Sequence, residues 1–174
     1  MNKIKKVALL GPESTGKTEL CMRLAAHFHT AWVPEFARVF LSNKNNVYTF
    51  EDVLYCMNAQ LILEDGMERQ AAGFLFCDTE LINYKVWFAD VFNKVPDELT
   101  EKLATHRYDL VLLTSPDIPF EEDPLRTNGN RRDFFFDWYK RELESYNIKY
   151  SVIDGAGSKR LENAIAAIER QLQN

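Results

Sequence analysis

Eight consecutive residues, Gly11-Pro12-Glu13-Ser14-Thr15-Gly16-Lys17-Thr18, place two glycines five apart with a lysine and a threonine directly after the second. That spacing suits phosphate. Backbone N–H groups of a tight loop and of the helical turn after it converge on phosphate oxygens, and the helix dipole adds partial positive charge. Lys17 would reach the terminal phosphates of a nucleotide, and the Thr18 hydroxyl would help hold a magnesium ion bridging them. The bland alternative is a glycine-containing strand-to-helix turn. The motif, however, follows an apolar run of strand length and opens a helical segment, which is the context it requires. Gly11, Glu13, Ser14, Thr15, Gly16, Lys17 and Thr18 are therefore candidate nucleotide-binding residues.

Further along, Phe76-Cys77-Asp78-Thr79-Glu80 puts a carboxylate at the carboxyl end of a buried strand, where open α/β sheets bind ligands. Asp78 could complete a magnesium shell or accept a proton from an attacking hydroxyl; its alternative is to cap the next helix. In Val33-Pro34-Glu35-Phe36-Ala37-Arg38, an acid again lies beyond a strand, with an arginine three residues on. Glu35 could orient and deprotonate an acceptor hydroxyl and Arg38 could grip an anion, or the two could be only an exposed helix-start pair. The segment from Asp123 to Arg132 carries Arg126, Arg131 and Arg132. Such cations could close as a lid over a transferring phosphoryl group, or could merely offset Glu121, Glu122 and Asp123 in a solvated loop. Gly155 and Gly157 could let the backbone approach an adenine ring, and Tyr84, Trp87, Trp138 and Tyr139 could stack on a base, although helical aromatics are more often core. His27, His29 and His106 lack metal-ligand spacing.

The elements that must position these groups are short. Apolar runs at 7–10, 31–33, 73–77, 109–113 and 150–153 predict five strands, and the helical stretches between them provide the crossovers that parallel strands require. The expected class is α/β. Leu161, Ala164, Ile165, Ile168 and Leu172 form one stripe of a final helix; Glu51 to Ala72 and Arg132 to Tyr146 read as two more helices. At 174 residues, with 46% hydrophobic and 27% charged residues, the chain reads as one globular domain spanning 1–174, neither disordered nor membrane-embedded. A net charge of −5 disfavours non-specific nucleic-acid binding. Three cysteines without close pairing suggest neither a disulfide framework nor a zinc site, and without a signal segment the cytoplasm is the expected location.

Together, "GPESTGKTEL", "VPEFAR", "FLFCDTELINYKVW", "YDLVLLTSPDIPFEEDPLR" and "IDGAGSKRLENA" resemble the ribosylnicotinamide kinase domain of NadR-type proteins. The resemblance implies a P-loop kinase fold, three-layer α/β/α with a five-stranded parallel sheet in the order 2-3-1-4-5. It also implies magnesium-dependent transfer of the ATP γ-phosphate to the 5′-hydroxyl of nicotinamide riboside. On that basis Lys17 and Thr18 would hold the ATP phosphates and magnesium, and Asp78 would face both metal and acceptor. Glu35 and Arg38 would contact the acceptor, Gln60 would be a substrate contact, and Arg126, Arg131 and Arg132 would belong to a lid at 121–133. Tyr84 and Trp87 are the candidate base contacts. The partner would be a small nucleoside, with no nucleic acid or membrane involved and with room for a homo-oligomer. Because Met1 stands immediately before the first strand, neither adenylyltransferase nor repressor activity is expected. The alternatives are a kinase of another nucleoside or nucleotide and an ATP-binding regulatory switch.

Overall fold

Val7, Leu9, Phe76, Leu110, Leu112 and Ile153 bury one face of a sheet, while Ala8, Leu10, Val33, Leu75, Cys77, Val111 and Leu113 bury the other. Period-two alternation puts successive side chains on opposite faces, so a sheet covered twice needs strands that are apolar throughout. The computed structural model describes residues 3–44, 47–105, 108–122 and 128–172. Its strands are β1 (Lys5–Leu10), β2 (Trp32–Val33), β3 (Phe74–Asp78), β4 (Leu110–Thr114) and β5 (Tyr150–Ile153). All are parallel, in the order β2-β3-β1-β4-β5. The expected class, strand number and order are what the molecule has.

Helices α1 (Lys17–His27) and α7 (Gly157–Leu172) cover the first face. The second is covered by α3 (Phe50–Met67), α4 (Leu81–Phe92), α5 (Asp97–Ala104) and α6 (Arg132–Ser145), with α2 (Phe36–Ser42) beside α3. Thr49 opens α3 with a capping box, its hydroxyl accepting from Asp52 N and Asp52 accepting from Thr49 N. The helix expected over 51–72 ends earlier, at Met67, and tightens into a 3₁₀ turn at Glu68–Gln70 before the chain enters β3. β2 is only two residues long because Pro34, directly after it, has no N–H to donate to a ladder. Cys21, Cys56 and Cys77 are buried free thiols. Among the described residues, no helix is long and apolar enough to cross a membrane.

The same parity that sorts the core places the chemistry. Asp78 shares its face of β3 with Phe76, toward α1, so the strand's last side chain meets Thr18 in the first turn of that helix. Thr114 shares the corresponding face of β4 and meets the loop between β1 and α1.

Candidate active site

The loop from Gly11 to Thr18 is held shut from within. Gly11 has φ 149, and a Cβ there would lie 2.2 Å from the Thr114 hydroxyl oxygen, so a side chain is excluded by both conformation and space. Thr15, fully buried, donates its hydroxyl to Pro12 O at 2.8 Å and shares a 2.7 Å hydrogen bond with Thr114 Oγ1. Gly16, at φ 74, caps α1 in the left-handed conformation. Lys17 Nζ donates to Gly11 O and Pro12 O, each at 2.8 Å, so the ammonium lies over the loop. Backbone donors, a helix N-terminus and a lysine thereby converge on one anion site.

Thr18 Oγ1 donates to Asp78 Oδ2 at 2.5 Å, and Asp78 is 1% exposed. Burial raises its carboxyl above the usual carboxylate range, against the opposing pull of the Thr18 bond and of Lys17 and Arg38. Asp78 Oδ1 is buried with no hydrogen-bond partner among the described residues. Capping of α4, the alternative role for Asp78, falls instead to Glu80, whose Oε1 accepts from Asn83 N at 3.2 Å. Thr79 between them has φ 88, a left-handed conformation that costs a β-branched residue about 1–3 kcal/mol. That turn sends two nearby carboxylates separate ways.

Glu35 stands at the N-terminus of α2 but makes no side-chain capping bond; it lines a cavity of about 520 Å³ together with Arg38, Lys17 and the phosphate loop. Burial first, and the neighbouring Asp78 charge second, push its carboxyl up to about 7, while Lys17 and Arg38 pull the other way. Trp87 and Tyr48 add an aromatic wall, with Trp87 Nε1 donating to the Tyr48 hydroxyl at 3.1 Å. Gln60 and Tyr84, expected as substrate contacts, lie behind that cavity instead of lining it. Gln60 Oε1 accepts from Phe36 N at 2.8 Å and so pins the backbone beside Glu35, and Tyr84 is 1% exposed with its ring stacked 6.1 Å from that of Trp87.

Of the expected lid, 123–127 and with it Arg126 lie outside the described residues. Both flanks of that segment are gripped by the phosphate loop. Ser14 Oγ accepts from Glu121 N at 2.7 Å, and Glu13 Oε2 accepts from Asn128 N at 2.9 Å. Arg132 donates to Ser14 O at 3.0 Å, Pro116 O at 3.3 Å and Ile118 O at 2.8 Å, whereas Arg131 forms a two-pronged pair with the cavity residue Asp90. Gly155 and Gly157 do not line the cavity; Gly155 N donates to Asp117 Oδ2 at 2.7 Å, and Gly157 is the first residue of α7.

Arg160, absent from the expected site, lies behind the loop at 4% exposure. Its guanidinium donates to Thr15 O at 2.6 Å, Gly155 O at 2.6 Å and Ser115 O at 3.2 Å, and pairs with Asp117. Three loops are thereby tied to one cation. Its signal lay in the stripe of α7: Arg160 falls on the 164, 168, 172 face at four-residue spacing, where a charge must have partners. Asn83, Tyr48 and Asp90 also line the cavity but have no motif to announce them.

This sheet order, with a nucleotide-binding loop after β1 and an acid at the end of β3, is that of the P-loop kinase fold. Residues 6–160 match a family described as an AAA domain, and the chain belongs to it. The chain is 26% identical over 155 residues to the trifunctional NAD biosynthesis/regulator protein NadR of Escherichia coli, covering 84% of this chain and 37% of that protein. It is likewise 26% identical over 136 residues to the NadR of Salmonella typhimurium, covering 75% and 33%. It thus spans about a third of the length of these relatives. Among solved structures, NadR in complex with NR superposes with a TM-score of 0.83 at 24% identity, covering 98% of this chain and 52% of that one. A deoxyadenosine kinase of M. mycoides with bound dATP gives 0.64 at 12% identity, covering 94% and 99%. The resemblance read from the motifs thus agrees with whole-chain similarity to NadR.

Proposed function

We propose that the protein transfers the γ-phosphoryl group of ATP to the 5′-hydroxyl of nicotinamide riboside, giving nicotinamide mononucleotide, with magnesium. One observation carries the reading: a single cavity contains the phosphate loop, the Glu35 carboxylate and the Trp87–Tyr48 aromatic wall. Phosphate, base and flat-ring sites are what a nucleoside kinase must join. Similarity to NadR supports the choice of acceptor.

The residues present fit magnesium. Asp78 offers a buried, unpartnered Oδ1 beside the Thr18 hydroxyl, both hard oxygen donors. These two groups would supply the protein's share of a shell completed by substrate phosphates and water. Held there by Asp78 and Thr18, the ion would supply positive charge to offset that of the nucleotide phosphates.

Lys17 and the loop N–H groups hold the γ-phosphate in line, and positioning supplies most of the rate. The 5′-oxygen forms its bond to γ-phosphorus as the bond to the bridging oxygen of ADP breaks, and the hydroxyl proton goes to a carboxylate. Asp78 is committed to Thr18 and the metal side, so Glu35 is the acceptor-side base. A pKa near 7 lets it take that proton and release it to solvent. Arg132 keeps the loop carbonyl of Ser14 fixed, and Arg38 adds positive charge at the cavity wall.

The test is ATP consumption by the purified protein with magnesium and, in turn, nicotinamide riboside, common ribonucleosides, deoxynucleosides or no acceptor, with products identified by mass. Nicotinamide riboside should gain one phosphoryl group. Transfer to another nucleoside alone would overturn the acceptor, and acceptor-independent hydrolysis would overturn the kinase reading in favour of an ATP-driven switch.

A further inference from the structure

Asn83 sits in the first turn of α4 and is held at both ends. Its backbone N–H is capped by Glu80, and its side-chain Oδ1 accepts from the Tyr139 hydroxyl at 3.0 Å. Asn83 and Tyr139 both line the cavity, and Tyr139 is 7% exposed on α6. With the carboxamide oxygen taken, the amide is locked in one orientation, and its Nδ2 has no hydrogen-bond partner among the described residues. Tyr139 has donated its only hydroxyl proton and keeps lone pairs. The wall therefore presents a donor beside an acceptor.

The position of this pair along α4 says which part of a ligand it meets. Asp78 precedes Asn83 by five residues and stands with Thr18 at the phosphoryl-transfer end. Trp87 lies four residues beyond Asn83, on the same face and about 6 Å further along the helix. A nucleoside laid along α4, with its 5′-hydroxyl at the carboxylates and its base at Trp87, puts its sugar opposite Asn83. A sugar hydroxyl both accepts and donates, matching Nδ2 and the Tyr139 oxygen together, whereas a base carbonyl would use only one of them.

We infer that Asn83, oriented by Tyr139, is a specificity-determining residue that donates to a ring hydroxyl of the acceptor's ribose and so selects ribonucleosides over their deoxy counterparts. This rests on the nucleoside kinase reading above. The site would be one built to pair a hydroxyl, and such sites reject analogues that lack it because a polar group is left unpaired.

The experiment measures kcat/KM at saturating magnesium-ATP for the ribonucleoside that the wild type phosphorylates best and for its 2′-deoxy and 3′-deoxy forms. The proteins are wild type, Asn83→Ala, Asn83→Asp and Tyr139→Phe. Wild type should prefer the hydroxylated acceptor over one of the deoxy forms by about 10- to 100-fold. Asn83→Ala should narrow that preference to within about threefold, with the KM for ATP unchanged. Asn83→Asp still accepts the Tyr139 proton, but its carboxylate can only accept from the sugar hydroxyl, so it should keep part of the preference. Tyr139→Phe should fall between wild type and Asn83→Ala. An undiminished preference in Asn83→Ala would overturn the inference alone. Transfer to no nucleoside by the wild type would overturn both this and the kinase reading.

Discussion

The two halves of the cavity are built by opposite means. The phosphate half is a run of eight adjacent residues, Gly11 to Thr18, whose ligands are mainly backbone N–H groups and whose shape is set by Gly11 against Thr114 and by Thr15 against Pro12. The half proposed for the acceptor is assembled from side chains on separate elements: Glu35 before α2, Tyr48 before α3, Asn83 and Trp87 on α4, and Tyr139 on α6. Backbone recognition tolerates little and serves any nucleoside triphosphate; side-chain recognition can be re-cut without disturbing the fold. On the proposed reading, phosphate binding is thus concentrated in one half and acceptor choice in the other.

The largest effect that would expose this division is removal of the loop cation. Lys17→Ala should lower kcat by about 10²–10³-fold for every acceptor alike, because the lost charge stabilises the transferring phosphoryl group and touches no base. Steady-state kinetics with two different nucleosides checks it. If the variant changed the ratio between acceptors, the separation of the halves would fail.

What could be read from the sequence follows the same line. Five strands were legible because a doubly covered parallel sheet writes itself as uninterrupted apolar runs, their order came only with the family resemblance, and the loop was legible because its residues are contiguous. Asp78 was placed at a strand end, but its competing role as helix cap could be settled only by the Thr79 turn at φ 88, which hands the cap to Glu80. Gln60 and Tyr84 carried the right residue types in the right neighbourhood; helix rotation turned them inward, Gln60 onto Phe36 N and Tyr84 behind Trp87. Arg160 belongs to a stripe that reads as plain core until its partners, Thr15 O, Gly155 O and Asp117, are seen to come from three loops. Contacts between residues this distant in the chain leave no local pattern.

A smaller and more selective effect is expected from the acceptor wall. Trp87→Ala removes an indole that packs against Tyr48 and Tyr84. It should raise the KM for the nucleoside about tenfold while leaving the KM for ATP within about twofold. Replacement by phenylalanine keeps a ring at that position and should recover most of the loss. Equal changes in both KM values would mean that the two halves are mechanically coupled through α4.

The smallest effect is the most diagnostic, because activity and stability should move in opposite directions over one pH window. Burial pushes the Glu35 carboxyl up to about 7 in the folded protein, whereas an unfolded glutamate releases its proton near the ordinary value of 4.5. Between those values the native state binds more protons than the unfolded chain, so unfolding stability declines as pH rises through the window and levels off above it. Asp78, also raised by burial, adds to the same trend. Urea titrations of the protein without nucleotide should lose about 2 kcal/mol between pH 5 and pH 8, and Glu35→Gln should flatten that slope. Over the same range kcat/KM should rise as Glu35 becomes the competent base, about twofold between pH 7 and pH 8. A stability that increased with pH, or a Glu35→Gln variant retaining the acidic limb of the rate profile, would move the base to Asp78 and with it the boundary between the two halves.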